Sequence, residues 1–362
     1  MVMENKVLVA AGGTGGHIFP GQSLTECLVS KGYLVTFATD KRGLQHTKNI
    51  PANNILEITS SSISLRKPLN LLPSGFKILQ GIFQSIKYMV KWKPDVVVGF
   101  GGYPSFPVLI AAQFLTIPII IHEQNAILGR VNRIFALRAK YVASGFEDLQ
   151  KISPLANHVC TGNPLREKII KQIPKKYTAP EENINILIVG GSLGAKIFST
   201  KIPEAIAKLP KNMRKKLNIV QQTKIDFKEK AFDTYNQAGV DAICETFFSD
   251  IEVHLSNAHY IISRAGASSV SEISAMGIPS LLVPLAIAMD NHQTYNAKTL
   301  ARKNAADILL ESEFTPEKIK TILELRLNDS NWLKKASEQS KSVSRPHSAS
   351  ELTSLVISII EN

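Results

Sequence analysis

The chain has 362 residues, 44% of them hydrophobic and 20% charged, with 3 cysteines and a formal net charge of +12. At roughly 150 residues per domain, that length supports about two domains, and the near-average composition excludes wholesale disorder, a collagen-like repeat and a disulfide scaffold. The excess of 42 Lys and Arg over 30 Asp and Glu favours anionic partners: phosphates, nucleic acid or an anionic membrane surface.

At the start, Met1 to Lys6 leads into an apolar run, Val7 to Ala11, that is too short for a signal-peptide core and ends in glycines, so export is not expected. Short β-branched runs then recur, each followed by a glycine-rich or polar turn and a helical pattern, which is how parallel βα units read. In the first half they are Val7–Ala11, Leu34–Thr39, Ile55–Thr59, Val96–Phe100, Ile117–Ile121, Tyr141–Ser144 and His158–Thr161. The series restarts with Ile184–Val189, Leu217–Gln221, Asp241–Cys244, Tyr260–Ser263, Ser280–Val283 and Ala306–Leu310. Two doubly wound parallel sheets are the expectation. The stretch Phe106 to Ile121, broken by Pro107, Gln113 and Pro118, falls short of a membrane span and reads as a buried helix followed by a buried strand.

The boundary is expected near Thr161–Arg166, before a Lys-rich segment with Pro174 and Pro180, giving a first domain over 1–165 and a second over 166–345. The amphipathic segment 351–360 is too short to stand alone. The C-terminal 346–362 is therefore expected to dock on the first domain. Cys27, Cys160 and Cys244 lie far apart without metal-ligand spacing, which predicts buried structural thiols in a reducing cytosol.

Between the first strand and its helix, Gly12-Gly13-Thr14-Gly15-Gly16-His17 lets the backbone approach a ligand and leaves N–H groups for a phosphate. The spacing is neither GxGxxG, because Ile18 takes the last glycine's place, nor a P-loop. His17 reads either as a group that takes a proton from a substrate hydroxyl or as a capping residue. Gly101-Gly102-Tyr103-Pro104-Ser105 is a second such strand end, or a turn that needs positive φ. His122-Glu123-Gln124-Asn125 is read as closing the next strand and offering substrate contacts. In the second half, Arg264-Ala265-Gly266 opens a helix with Ala267-Ser268-Ser269-Val270-Ser271-Glu272, small residues and hydroxyls suited to a diphosphate and a carboxylate suited to ribose hydroxyls. The alternative for Glu272 is a solvated acid in a favourable first turn. Asp290-Asn291-His292-Gln293 marks another polar strand end.

In the order GGTGGH, GFGGYPS, HEQN, TGNPLR, GGSLGA, SRAGASSVSE, DNHQ, these motifs closely resemble the MurG family of N-acetylglucosamine transferases from about Val7 to Ala301. The resemblance implies the GT-B fold: two Rossmann-like doubly wound domains facing a cleft, with the nucleotide sugar mainly on the second. It implies UDP-N-acetylglucosamine as donor and undecaprenyl-diphosphate-linked MurNAc-pentapeptide as acceptor. Carried over by motif, Thr14, Gly15, Gly16, Asn125 and Arg166 become donor contacts. Ser192 approaches the diphosphate, Phe248 the uracil, Ala267 to Glu272 the nucleotide and ribose, and Gln293 the sugar hydroxyls. Phe248 stands where the family pattern has isoleucine. For His17 the resemblance allows a catalytic or an acceptor-diphosphate role.

With no Asp-x-Asp at a strand end, no metal is expected to hold the diphosphate, and no cofactor is implied. Between Glu57 and Asp95 the only charges are Arg66, Lys67, Lys77, Lys87, Lys91 and Lys93, beside Leu72, Phe76, Leu79 and Phe83 at one-face helical spacing. An apolar stripe flanked by bases suits an anionic bilayer interface, and the lipid-linked acceptor that the resemblance implies would put it on the cytoplasmic face of the inner membrane. A core-facing stripe is the alternative. A nicotinamide oxidoreductase using Asp40 or Arg42, a catalytically dead scaffold and a nucleic-acid binder are rival readings. The first fits the glycine spacing poorly, the second leaves His17 and HEQN unexplained, and the third lacks any nucleic-acid-binding pattern.

Overall fold

The computed structural model describes residues 5–13, 15–61, 71–191, 194–286 and 289–361. The chain divides into two compact units, Met1–Glu167 with Arg345–Asn362, and Lys168–Ser344.

The first unit runs β1 (Lys6–Ala10), α1 (Gly15–Ser30), β2 (Leu34–Thr39), β3 (Asn54–Glu57), α2 (Leu71–Trp92), β4 (Val96–Gly99), α3 (Ser105–Phe114), β5 (Ile119–Glu123), α4 (Arg130–Phe135), β6 (Tyr141–Ser144) and β7 (His158–Cys160), and the boundary falls at the first residue of α5 (Glu167–Lys171). Its parallel sheet has the order β3-β2-β1-β4-β5-β6-β7. The strands read as unbroken apolar runs because helices cover both faces: Val7, Leu8, Val9, Val96, Val97 and Val98 are wholly buried. Strand order reverses between β1 and β4, which pair directly from Val7 opposite Val96 to Ala10 opposite Gly99. In open α/β sheets that switch point is where the carboxyl ends of the strands leave a crevice.

The second unit runs β8 (Ile184–Val189), α6 (Lys196–Ala207), α7 (Lys211–Arg214), β9 (Leu217–Gln222), α8 (Lys228–Gln237), β10 (Asp241–Glu245), α9 (Ile251–Asn257), β11 (Tyr260–Ser263), α10 (Ala267–Met276), β12 (Ser280–Leu282), α11 (His292–Ala301), β13 (Ala306–Ile308), α12 (Pro316–Leu327) and α13 (Ser330–Ser342). Its sheet order, β10-β9-β8-β11-β12-β13, repeats the same reversal, now between β8 and β11. The core of this unit packs Ile186, Ile188, Phe198, Tyr235, Tyr260 and Leu323 together.

The last helix, α14 (Ser348–Ile360), returns to the first unit, where Leu352 and Val356 join the core with Val7, Leu24 and Phe37. Ser348 Oγ donates to the Asn163 carbonyl at 2.7 Å, fixing the helix start.

The structure corrects the reading of one strand end and excludes the core-facing alternative for α2. β5 begins at Ile119 and extends through Glu123, so His122 and Glu123 pair with Ala143 and Ser144 inside the sheet instead of following it. The stripe on α2 does not face the core. Leu72 is 87% exposed, Phe76 71%, Leu79 56% and Phe83 70%, while Ser74, Ile78, Ser85 and Met89 form the buried face.

Candidate active site

In the first unit, the loops after β1 and β4 are pressed together at the switch point. A Cβ on Gly12 would lie 2.3 Å from Pro104 Cγ, and one on Gly102 would lie 2.7 Å from the Gly12 carbonyl oxygen. Gly102 also has φ 78°, so both space and backbone conformation demand glycine there. Ser105 Oγ shares its one hydrogen between the carbonyls of Gly101, at 2.6 Å, and Ala10, at 2.9 Å, tying the loop after β4 to the end of β1. The turn that the sequence left open is thus both a tight turn and a wall of the crevice.

Against that wall lies the His17 ring, from the first turn of α1. A Cβ on Gly101 would sit 3.6 Å from His17 Cε1, and one on Gly102 3.6 Å from His17 Cδ2. His17 Nδ1 is 2.7 Å from Gln124 Oε1. Gln124 and His122 are buried behind it, and His122 Nε2 is 2.9 Å from the Gly162 carbonyl. Burial pushes the His122 imidazole down to about 4; the bond to Gly162 opposes this and the nearby His17 adds to it. Glu123, also buried, accepts from the Asn125 N–H and Asn125 Nδ2 on one oxygen and from the Gly129 N–H and Asn132 Nδ2 on the other. Its task is to hold Asn125 and the start of α4. The HEQN segment is therefore largely internal scaffolding, with Asn125 the partly exposed member.

Gly15 and Gly16 open α1, and Thr14 lies outside the described residues. Arg166 belongs to the first unit, its guanidinium carbon 5.7 Å from the centre of the Phe19 ring on the same helix as His17. His17, Asn125 and Arg166 thus all belong to the first unit.

The second unit gathers its own candidate residues around its switch point. After β8, Gly190, Gly191 and Gly194 turn the chain into α6, with Gly191 at φ 91° and Gly194 at φ 65°; Ser192 lies outside the described residues. After β11, Gly266 caps α10 with extended backbone and no side-chain cap, so the first N–H groups of that helix are not claimed by a capping side chain. A helix start of this kind suits an anion. Ser268, Ser269 and Glu272 are partly exposed, as is Ala267. Val270 differs from the expectation. Its side chain is wholly buried and its N–H donates to the Gly266 carbonyl at 2.9 Å, so it supports the helix start from beneath. Ser271 is nearly buried as well.

Beneath these loops, Arg264 lies with its guanidinium 5.0 Å from the Phe198 ring centre, donates to the Val283 carbonyl at 3.2 Å and pairs with Glu311 at 2.5 Å. Glu311 also accepts from the Ala286 N–H at 3.1 Å. Gln293, in the first turn of α11, accepts the Leu285 N–H on Oε1 at 2.9 Å, which leaves its NH2 group to act as donor toward a ligand. Phe248, between β10 and α9, is partly buried with its ring 4.8 Å from that of His254. Neither the Arg264–Glu311 pair nor the His17–Gln124 pair stood out in the sequence. The partners are far apart along the chain, and only the shared polar strand ends hinted at them. Among the described residues, no group of three or more His, Cys, Asp or Glu side chains converges as a metal set.

Known proteins match this arrangement along the whole chain. The model described as glycosyltransferase family 28 N-terminal domain matches residues 7–144, and that described as glycosyltransferase family 28 C-terminal domain matches 185–352. The UDP-N-acetylglucosamine--N-acetylmuramyl-(pentapeptide) pyrophosphoryl-undecaprenol N-acetylglucosamine transferase of Maricaulis maris (strain MCS10) is 43% identical over 359 residues, 98% of each chain. A protein of that same name from Caulobacter vibrioides (strain NA1000 / CB15N) is 40% identical, covering 98% of this chain and 99% of its own. The crystal structure of Acinetobacter baumannii MurG superposes with a TM-score of 0.82 at 31% identity, covering 98% of this chain and 99% of that one. The glycotransferase of kitacinnamycin, at 14% identity and a TM-score of 0.72, shares the fold.

Two doubly wound units, each with glycine-rich or helix-opening loops at its switch point, define the GT-B class of glycosyltransferase. The chain belongs to glycosyltransferase family 28 and, within it, to the MurG family.

Proposed function

We propose that the protein moves N-acetylglucosamine from UDP-N-acetylglucosamine to the 4-hydroxyl of undecaprenyl-diphosphate-linked MurNAc-pentapeptide, the lipid I to lipid II step of peptidoglycan synthesis. The observation that carries this reading is the pair of loop-flanked switch points in a chain 43% identical, along 98% of its length, to a transferase of that name. The acceptor oxygen attacks the anomeric carbon from the face opposite UDP. The new C–O bond forms as the bond to the diphosphate breaks, its electron pair leaves on the phosphate oxygen, and the linkage inverts to β through an oxocarbenium-like transition state.

The hydroxyl proton goes to His17, whose ring stands at the first unit's switch point. Gly15, Gly16, Asn125 and Arg166 contribute substrate contacts beside it. Negative charge growing on the departing UDP is met by the start of α10, with Ser268 and Ser269. Glu272 accepts the ribose hydroxyls, Phe248 borders the base, and Gln293 donates to the sugar. Thr14 and Ser192 keep their proposed donor contacts, and Val270 takes part as support for the helix start.

The protein works on the cytoplasmic face of the inner membrane, held by the outward stripe Leu72, Phe76, Leu79 and Phe83 with the exposed Lys77 and Lys87. None of the described helices is long and apolar enough to cross a membrane. Attachment by an interfacial helix suits an acceptor whose undecaprenyl chain stays in the bilayer.

The test is direct. Purified protein is incubated with labelled UDP-N-acetylglucosamine and a lipid-diphosphate MurNAc-peptide. Formation of the β-linked disaccharide supports the reading; thermal stabilisation by nicotinamide cofactors and not by UDP, with no disaccharide, overturns it.

A further inference from the structure

The polar chain behind His17 fixes which atoms of His122 and Gln124 donate and which accept. Two backbone carbonyls, which can only accept, anchor it. His122 Nε2 faces the Gly162 carbonyl at 2.9 Å, so that nitrogen carries the hydrogen. His122 Nδ1 is then an acceptor, and Gln124 Nε2 donates to it at 3.1 Å. The same Gln124 Nε2 donates to the His122 carbonyl at 3.0 Å. Turning the amide over would set its oxygen against that carbonyl and against the imidazole lone pair, so its orientation is fixed. Gln124 Oε1 therefore points at His17 Nδ1, 2.7 Å away, and requires a hydrogen there.

We propose that Gln124, itself oriented by His122, is a positioning residue that locks the neutral His17 imidazole as its Nδ1–H tautomer, leaving the Nε2 lone pair as the proton acceptor. The other tautomer would place two lone pairs face to face at 2.7 Å. The lock is strong because Gln124 and His122 are buried, where an unmatched polar contact is costly. His122 stays neutral there, since burial holds its imidazole at about 4. A protonated His122 would present a donor at Nδ1 to the donor on Gln124.

In hydrolytic triads a carboxylate orients the histidine and adds charge. Here a neutral amide orients it without adding charge. When the attacking hydroxyl gives its proton to Nε2, the ring becomes an imidazolium that keeps its Nδ1–H on Gln124 Oε1.

This inference rests on the reading of His17 as the base, and the experiment separates the two. The full-length protein is labelled with nitrogen-15 histidine, and the His17 signals are identified by their loss in His17→Gln. The free wild-type protein should show the nitrogen pattern of the Nδ1–H tautomer. In Gln124→Met, a similar-sized side chain without the acceptor, that pattern should give way to a mixture or to Nε2–H. The transfer rate should drop about 10²-fold in kcat, as for loss of an effective general base, with the UDP-N-acetylglucosamine KM unchanged. An Nε2–H or mixed tautomer in the wild type, or an unaltered tautomer in Gln124→Met, overturns the lock. A lost tautomer with undiminished kcat overturns its catalytic use, and with it the assignment of His17 as base.

Discussion

Arg264 and Glu311 meet at 2.5 Å beneath the loops of the second switch point, and Glu311 simultaneously accepts the N–H of Ala286. One ion pair thereby joins the end of β11 to the segment that follows β12. Arg264 is buried against Phe198 and the Val283 carbonyl, so removing its partner strands a charge. Glu311 itself is partly exposed, so Glu311→Ala should destabilise the second unit by about 1.5 to 3 kcal/mol, the range for a hydrogen bond to a charged group. Urea unfolding reads this directly. A change below about 0.5 kcal/mol, the range of ordinary surface substitutions, would show that the pair is only a surface contact.

The same pair sets an acid limit. Burial works against ionising Glu311, but the hydrogen bonds from Arg264 and Ala286 and the guanidinium charge outweigh it, holding the carboxyl below its ordinary range. Its folded pKa lies below the unfolded one, so its contribution is complete above about pH 4.3 and is lost as pH falls through the folded value. Glu311→Gln should flatten that acid limb of the stability profile.

His122 acts on a different window. Its imidazole titrates at about 4 in the fold against 6.5 ordinarily, so between those values the unfolded chain binds the extra proton. Stability should therefore fall as pH drops from about 6.5 to about 4, by about 3 kcal/mol in all, and level off below. His122→Phe, with a ring that can pack on Phe100 as the imidazole does at 5.1 Å, should remove that slope. An identical pH dependence in the variant would assign the effect elsewhere.

For Glu272, loss of a charge-assisted hydrogen bond worth about 1.5 to 3 kcal/mol predicts a roughly tenfold or larger loss of UDP affinity in Glu272→Ala. Its partly exposed position in the first turns of α10 predicts little loss of stability. Titration calorimetry with UDP decides, and an unchanged affinity in a folded variant removes Glu272 from the ribose.

The α2 stripe gives the membrane prediction. Because Phe76 and Leu79 are 71% and 56% exposed, Phe76→Ser with Leu79→Ser should leave the fold intact. Wild-type protein should bind anionic vesicles at low salt and release them at high salt, each basic residue near the surface contributing on the order of 1 kcal/mol. The double variant should lose that binding yet turn over a short-chain soluble acceptor. Equal wild-type binding to neutral and anionic vesicles would argue against this face.

The sequence by itself determined the two sheets, because strands covered by helices on both faces must be continuous apolar runs, and Val7–Ala11 or Ile184–Val189 cannot be read otherwise. It also marked the glycine loops, since a backbone wedged as Gly12 is against Pro104 admits no side chain. What it could not decide was where polar residues at strand ends point. His122 and Glu123 read as exposed contacts because polar side chains seldom enter a sheet, yet partners at Gly162 and Asn132 satisfy them inside. Likewise a period of three and four on α2 is the same for a core face and a bilayer face. Only packing, which buries Ile78 and Met89 and leaves Phe76 and Phe83 outside, tells them apart. The proton on His17 Nδ1 belongs to the same class: it is set by Gln124, 107 positions along the chain, brought within 2.7 Å by the order of the strands.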